Sequence, residues 1–149
     1  MWEELIGRRS SPVTNWVERG AVRKFAEAID DLNPLYFDEQ AARASSHGRL
    51  IAPPTFPVIL DHGAIEGLVL PVAGLLHGEQ RFEYRRPLYV GETISCWTTL
   101  ENAYEKRGKQ GLLTFLVLAR TAEDEEGRHI YTMSSTLIVT EAVRERTGA

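Results

Sequence analysis

The hydrophobic pattern of the chain changes from a helical period to an alternating one near residue 77. Between Gly20 and Asp30, apolar residues recur at helical spacing and charged residues fill the opposite face, which predicts a short amphipathic helix. It should end at Asp31–Pro34, because the residue before a proline is driven out of the α region. Asp38 is placed to cap a second helix that runs through Ala44.

A third helix is predicted over Phe56–Gly67, with Pro57 in its first turn. Its apolar face includes Gly63 and Gly67, and each glycine lowers helix propensity by about 1 kcal/mol relative to alanine. Glycines make sense there if a sheet passes very close to the helix. We therefore expect this helix to be central and buried.

The C-terminal half alternates between apolar and polar residues and carries turn sequences at Gly108–Gly111 and Asp124–Gly127. We predict strands over residues 80–86, 93–103, 112–122 and 130–140, together with a short strand over Val13–Val17. This order of elements predicts an α+β fold in which a long antiparallel sheet wraps around the Phe56–Gly67 helix. The charged tail Glu141–Ala149 is expected to be frayed.

Composition and charge narrow the class of protein. The chain has 149 residues, of which 43% are hydrophobic and 26% charged, as expected for one globular domain over residues 1–149. Its net charge of −4, spread along the chain, offers no basic stripe for nucleic acid or anionic lipid. The single cysteine, Cys96, excludes an internal disulfide, and alternation places it in the core. With no signal sequence and no apolar run long enough for a bilayer, the expected location is the cytoplasm.

Three segments carry a recognisable order of motifs. A D-x-N-P motif occupies Asp31–Pro34, the proline-led stretch Leu50–Phe56 follows, and the third segment runs from His77-Gly78-Glu79-Gln80 to Arg86-Pro87-Leu88. In this order and spacing, the chain resembles the MaoC-like, (R)-specific enoyl-thioester hydratase and dehydratase family from about Val17 to Thr140. Within that family it is most similar to the FAS1-like dehydratase N-terminal domain branch.

The resemblance implies a hot-dog fold, a dimer whose sheets join, and a tunnel for acyl thioesters of coenzyme A or acyl carrier protein. It implies hydration of a trans-2-enoyl thioester or dehydration of the 3-hydroxyacyl thioester, with no metal and no organic cofactor. In the family an aspartate and a histidine activate water, and a backbone N–H at the start of the central helix stabilises the enolate oxygen. The positions that match, or stand close by, are the catalytic candidates Asp31, Tyr36 and His77, and the substrate-binding candidates Asn33, Pro54, Thr55, Phe56 and Gln80.

Two positions depart from the family pattern. Tyr36 occupies the place of the catalytic histidine, and a phenol with an ordinary pKa near ~10 is a poor general base at neutral pH. Pro54 falls where the family has a glycine, and proline has no N–H to offer. These departures favour the substrate-binding subunit of a heteromeric 3-hydroxyacyl-thioester dehydratase, a lyase whose second hot-dog subunit supplies the acid and base.

Other functions remain open on the sequence alone. A self-sufficient homodimeric hydratase would use Asp31 as its base, aided by His77, and a hot-dog thioesterase would use Asp61 or Glu66. A non-enzymatic acyl-CoA binder needs none of these groups. Structural roles also compete, since Asp31 suits a turn, Tyr36 suits packing and Asn33 suits bracing of a loop.

Overall fold

A computed structural model describes residues 2–109 and 111–147 of the chain. The sheet contains five strands, and three α-helices accompany it. In chain order these elements are β1 (Val13–Trp16), α1 (Arg19–Ala28), α2 (Glu39–Ala44), β2 (Leu75–Tyr84), β3 (Thr93–Gly108), β4 (Gly111–Glu123), β5 (His129–Thr140) and α3 (Glu141–Thr147). Single 3₁₀ turns occupy Glu3–Leu5, Pro34–Tyr36 and Phe56–Ile59.

The five strands form one antiparallel sheet in the order β1-β3-β4-β5-β2. The four long strands and the short β1 were all predicted, as were the two hairpin connections. Gln110, in the first of these, lies outside the described residues. The α+β prediction is confirmed, and β1 and β2 are the two edges of the sheet.

One face of the sheet, here called the inner face, carries the core. Alternate residues of the long strands point to it, because side chains of a strand alternate between faces. One cluster packs against α1 and the turn Pro34–Tyr36, and its largest fully buried members are Phe56, Leu88, Ile94, Ile130 and Tyr131. The second cluster packs against the N-terminal segment and α3, and it includes Trp2, Leu100, Leu116, Leu118 and Val139.

The prediction of a long central helix is wrong. Only Phe56–Ile59 is helical, as a 3₁₀ turn, and the chain is already extended at Leu60, with ψ of 151°. Gly63 and Gly67 have φ values of +77° and +82°, which belong to the left-handed region and cannot continue a right-handed helix. The glycines therefore serve as turns in an irregular segment that crosses the inner face. Phe56 is buried as predicted, with its ring edge-on to Phe25 at 5.6 Å between centroids.

The helices α1 and α2 follow the sequence signals closely. The Glu18 carboxylate accepts hydrogen bonds from the N–H groups of Gly20 and Ala21 and so caps α1. At the other end, Asp30 adopts a left-handed φ of 54°, and the Asp31 N–H donates to the carbonyl of Ala26. This backbone closure fixes Asp31 directly after the helix. Asp38 caps α2 as predicted.

The C-terminal tail is not frayed over residues 141–147. These residues form α3, and Val143 is buried in the second core cluster. Gly74 lies against this helix, and a Cβ at that position would come within 2.6 Å of Val143 Cγ2. The apolar side chain of Val143 thus holds the otherwise charged helix α3 against the core. Residues 148 and 149 of the predicted frayed tail lie outside the described residues.

Candidate functional site

The D-x-N-P turn brings Asp31 and Tyr36 together. Asn33 Oδ1 accepts a hydrogen bond from the N–H of Leu35 at 3.0 Å, and Pro34 starts the 3₁₀ turn that ends at Tyr36. The Tyr36 ring is buried, with 6% of its surface exposed, and its hydroxyl donates to Asp31 Oδ2 at 3.3 Å. Asn33 thus braces the loop, and two of the three candidate catalytic side chains, Asp31 and Tyr36, are in direct contact.

The environment of Tyr36 keeps its hydroxyl protonated. Burial raises the pKa of Tyr36, and the negative charge and hydrogen bond of Asp31 raise it further. A phenol held in this way is a hydrogen-bond donor at neutral pH and cannot accept a proton from water. The Asp31 carboxylate already accepts one hydrogen bond from within the protein.

An apolar cavity of about 430 Å³, here called the outer cavity, opens beside Tyr36. Its wall includes Pro54 and Tyr84, and the Tyr84 hydroxyl donates to the Pro54 carbonyl at 2.6 Å. The remaining lining residues are His47, Ile51, Ala52, Arg85, Arg86 and Pro87. Pro54 and Tyr36 therefore share one cavity.

The backbone around Pro54 offers few donors to this cavity. Pro54 and Pro57 have no N–H, and the N–H of Phe56 donates to the Pro53 carbonyl at 2.9 Å. Among residues 54–57, this leaves the N–H of Thr55, whose side chain is exposed. An oxyanion site needs a donor aimed at the developing charge, and the position that the family pattern assigns to that donor is a proline here.

His77 and Gln80 lie elsewhere, on β2 beside a second cavity of about 360 Å³, here called the inner cavity. It lies between the irregular segment after Phe56 and the inner face of the sheet. Its walls are formed by Val58, Leu60, His62, Leu75, His77, Gln80, Arg120, Met133, Ser135 and Leu137. The structure thus places Tyr36 and Pro54 on the outer cavity and His77 and Gln80 on the inner cavity. Asp31, Asn33 and Thr55 line neither cavity, and Phe56 belongs to the core.

His62 is the buried polar group that connects the inner cavity with the core. Its Nδ1 lies 3.1 Å from the Leu60 carbonyl, which can only accept, so Nδ1 carries the proton. Its Nε2 then accepts from the Tyr131 hydroxyl at 2.8 Å. Burial, with the nearby charge of Arg120, lowers the pKa of His62 to about 4. The ring is therefore neutral at physiological pH.

Cys96 lies next to the same tyrosine. It is fully buried, with Sγ 3.8 Å from the Tyr131 hydroxyl oxygen, and burial raises its pKa to about 11. The prediction of a core cysteine is confirmed. An uncharged, covered thiol is a packing residue here and not a nucleophile.

Sequence reasoning missed the inner polar group formed by His62, Arg120 and Tyr131. His62 falls within the predicted helix Phe56–Gly67, which does not form. The thioesterase candidates Asp61 and Glu66 are exposed on the loop that replaces that helix, and the Asp61 carboxylate accepts from the N–H of Gly63 at 2.8 Å. These carboxylates face neither cavity.

Within residues 2–109 and 111–147, no three His, Cys, Asp or Glu side chains are grouped as metal ligands. No helix in this part of the chain is long and apolar enough to cross a bilayer.

Comparison with solved structures defines the class of protein. The fold matches the truncated HadBC (3R-hydroxyacyl-ACP dehydratase) complex of Mycobacterium tuberculosis with a TM-score of 0.74 and 22% identity, over 91% of this chain and 97% of that chain. The ChsH1-ChsH2 complex of the same organism also gives 0.74, with 24% identity over 89% and 84% of the two chains. The R-hydratase PhaJ1 of Pseudomonas aeruginosa gives 0.65, with 18% identity over 91% and 82%. The chain has the hot-dog fold of the hydratases and dehydratases, as predicted.

Family membership follows from the sequence comparison. The FAS1-like, dehydratase domain region family matches residues 4–133, and the chain belongs to this family. A UPF0336 protein of Thermobifida fusca is 39% identical over 129 residues, which are 83% of this chain and 82% of that protein. A second UPF0336 protein, from Leifsonia xyli, is 34% identical over 142 residues, 91% and 93% of the two chains. The resemblance identified from the motifs is confirmed.

Proposed function

We propose that the protein binds acyl thioesters as the substrate-binding subunit of a heteromeric 3-hydroxyacyl-thioester dehydratase. The observation that carries the proposal is the state of the D-x-N-P site. Asp31 is bonded to a tyrosine that stays protonated, and the neighbouring Pro54 has no N–H for an oxyanion. The outer cavity can still hold a substrate. The site has a tyrosine in place of the catalytic histidine and a proline in place of the oxyanion donor. The partner subunit supplies the aspartate and histidine.

The structural neighbours support a second hot-dog subunit as the partner, since HadBC and ChsH1-ChsH2 are complexes by their names. The sheet offers a place for one. β2 is a ten-residue edge strand, and such edges are usually paired or covered. Val72 beside it is fully exposed, and Leu76 on it is 53% exposed.

We expect this edge to be paired in solution, so that the protein alone is a dimer or a higher even oligomer. A charge at the edge should oppose pairing, so Leu76→Lys should shift the distribution toward the monomer. The control is Leu32→Lys, which also places a charge at an exposed apolar residue but in the loop after α1, outside the sheet. Light scattering at micromolar concentration gives the mass, and a monomeric wild-type protein would contradict this expectation.

The rim of the outer cavity fits a carrier that bears phosphate. Arg85 and Arg86 line the cavity, and Arg49 lies in the adjoining polar cleft. Arg86 is committed to Glu92 through two hydrogen bonds of 2.9 and 3.0 Å, whereas the Arg85 side chain is exposed. Arginine binds phosphate oxygens in a bidentate manner, so Arg85 suits the phosphates of coenzyme A or of the carrier-protein arm.

A self-sufficient homodimeric hydratase is the second candidate. The intact D-x-N-P turn favours it, because Asp31 is only half-buried and could still orient a water molecule. In this reading Asp31 is the base, and His77 of the joined sheet assists. The two candidates differ in what the purified protein does alone.

For the purified protein we expect binding of octanoyl-CoA without appreciable hydration of trans-2-octenoyl-CoA. Asp31→Ala should leave the dissociation constant within about twofold, since the carboxylate contacts water and not the acyl chain. Calorimetry measures binding, loss of the enoyl absorbance measures hydration, and Asp30→Ala is the matched control. Rapid hydration that collapses in Asp31→Ala would establish the homodimeric enzyme instead. Release of free thiol would indicate a thioesterase.

A further inference from the structure

Arg120 is a half-buried cation on the inner face of the sheet. It stands on β4 between Leu118 and Ala122, which are both buried, and alternation directs it to the same face. Its guanidinium lines the inner cavity, and its one hydrogen bond to a side chain is to Ser135 Oγ at 3.3 Å. No carboxylate of residues 2–109 and 111–147 forms a salt bridge with it.

The surroundings of Arg120 do not compensate its charge. Its titratable neighbours are His62 and Tyr131, and both are uncharged at physiological pH because burial lowers the pKa of His62 and raises that of Tyr131. The other polar lining groups are Ser135, Gln80 and His77, and no acidic side chain lines the cavity. Burial lowers the pKa of Arg120, which reflects the cost of holding a cation there. Guanidinium groups stay charged in proteins, so the site has an unbalanced positive charge.

A half-buried cation without an ion-pair partner carries a desolvation cost that no opposite charge offsets. Such a group is therefore better explained by a ligand that completes it than by stability. The inner cavity also presents the apolar side chains of Leu60, Met133 and Leu137. The cavity thus has an apolar wall and the guanidinium of Arg120, which together suit an aliphatic chain that ends in an anionic group.

We infer that the inner cavity receives an acyl group whose far end carries a carboxylate, and that Arg120 binds this carboxylate. The inference rests on the proposed acyl-thioester function and narrows its substrate class to dicarboxylic monothioesters. Ser135 Oγ accepts a hydrogen bond from the guanidinium, and Gln80 adds a polar side chain to the wall of the same cavity. Arginine, with its planar set of donors, is the side chain suited to a bidentate carboxylate contact.

The test compares suberyl-CoA with octanoyl-CoA, whose acyl groups are equal in length and differ in the terminal carboxylate. Calorimetry on the full chain should give at least about tenfold tighter binding of suberyl-CoA, as expected for charge-assisted hydrogen bonds. Arg120→Met should abolish this preference, and Arg120→Lys should keep part of it. Arg8→Met, an exposed arginine in the segment beside β3 at the opposite edge of the sheet, should keep all of it.

Folding of the variants is checked by circular dichroism and thermal unfolding. Because Arg120→Met removes an uncompensated cation, its melting temperature should equal or exceed that of the wild type. If Arg120→Met does not fold, Arg120→Lys tests the inference, and its preference for suberyl-CoA over octanoyl-CoA should be weaker than that of the wild type. A folded Arg120→Met variant that keeps the full preference for suberyl-CoA would show that Arg120 is structural and would overturn the inference.

The same experiment separates this inference from the proposed function. Equal affinity of the wild type for both esters overturns the carboxylate site and leaves acyl-thioester binding intact. If neither ester binds, the proposed function fails, and suberate and octanoate alone decide the carboxylate site. Binding of suberate that Arg120→Met abolishes then supports the site, and absence of suberate binding overturns it.

Discussion

The free energy of unfolding should fall by about 3 kcal/mol as the pH is lowered from about 6.5 to about 4, through His62 alone. In the folded protein the pKa of His62 is about 4, because the ring is buried beside the Arg120 charge. The unfolded chain has the ordinary value near ~6.5, so it binds the proton first as the pH falls. The stabilisation by neutral His62 is thus complete above about pH 6.5 and is lost progressively down to about pH 4.

Urea unfolding at pH 7, 5.5 and 4 measures this dependence. His62→Gln should be less stable at pH 7, because it gives up the hydrogen bond from Nδ1–H to the Leu60 carbonyl, and it should lose less stability on acidification. His47→Gln is the control for replacing a histidine by glutamine, because His47 is half-buried in a loop beside the outer cavity. Equal pH dependence of the wild type and His62→Gln would show that the ring is not held neutral.

Hydratase activity should rise by about 100-fold or more in the double variant Tyr36→His/Pro54→Gly, whereas each single variant should stay close to the wild type. The histidine restores a base that can titrate near neutral pH, worth about 100-fold to 10,000-fold. The glycine restores an N–H where an oxyanion donor is missing, worth about 100-fold to 1000-fold. Neither group suffices alone, because the reaction needs water activation and charge stabilisation in the same step.

The rate of trans-2-octenoyl-CoA hydration by the purified variants checks this non-additivity. Tyr36→Phe removes the hydroxyl without adding a base, so it should gain nothing. Pro54→Ala also supplies an N–H and should substitute for Pro54→Gly in the double variant. A large gain from Tyr36→His alone would mean that another donor, such as the Thr55 N–H, already serves the oxyanion.

The sheet could be predicted because strand alternation and turn residues are local signals. The same locality explains the D-x-N-P site, where capping by Asn33 and the proline-led turn place Tyr36 against Asp31 without help from distant residues. The prediction of a Phe56–Gly67 helix is wrong because it takes Gly63 and Gly67 as helical residues that let a sheet approach closely. Their positive φ values instead mark the turns of an irregular segment.

The inner cavity could not be predicted, since it exists only where that helix is absent. One signal was nevertheless available. Arg120 follows Leu116 and Leu118 at intervals of two residues on β4. The alternation of the strand therefore predicts that a charged residue lies on the inner face of the sheet. His62 gave no comparable signal, because its partner Tyr131 is brought to it by the pairing of β5 within the sheet.

The burial of Cys96 makes the chain's single thiol a natural reporter of cooperative opening. Only the thiolate reacts with alkylating reagents, and a covered thiol with a pKa of about 11 is almost entirely protonated at neutral pH. Modification must therefore wait for the core on the inner face of the sheet to open around Cys96 and Tyr131. The rate of labelling then measures how often the folded core opens, and the native protein needs no reducing agent to keep its thiol intact.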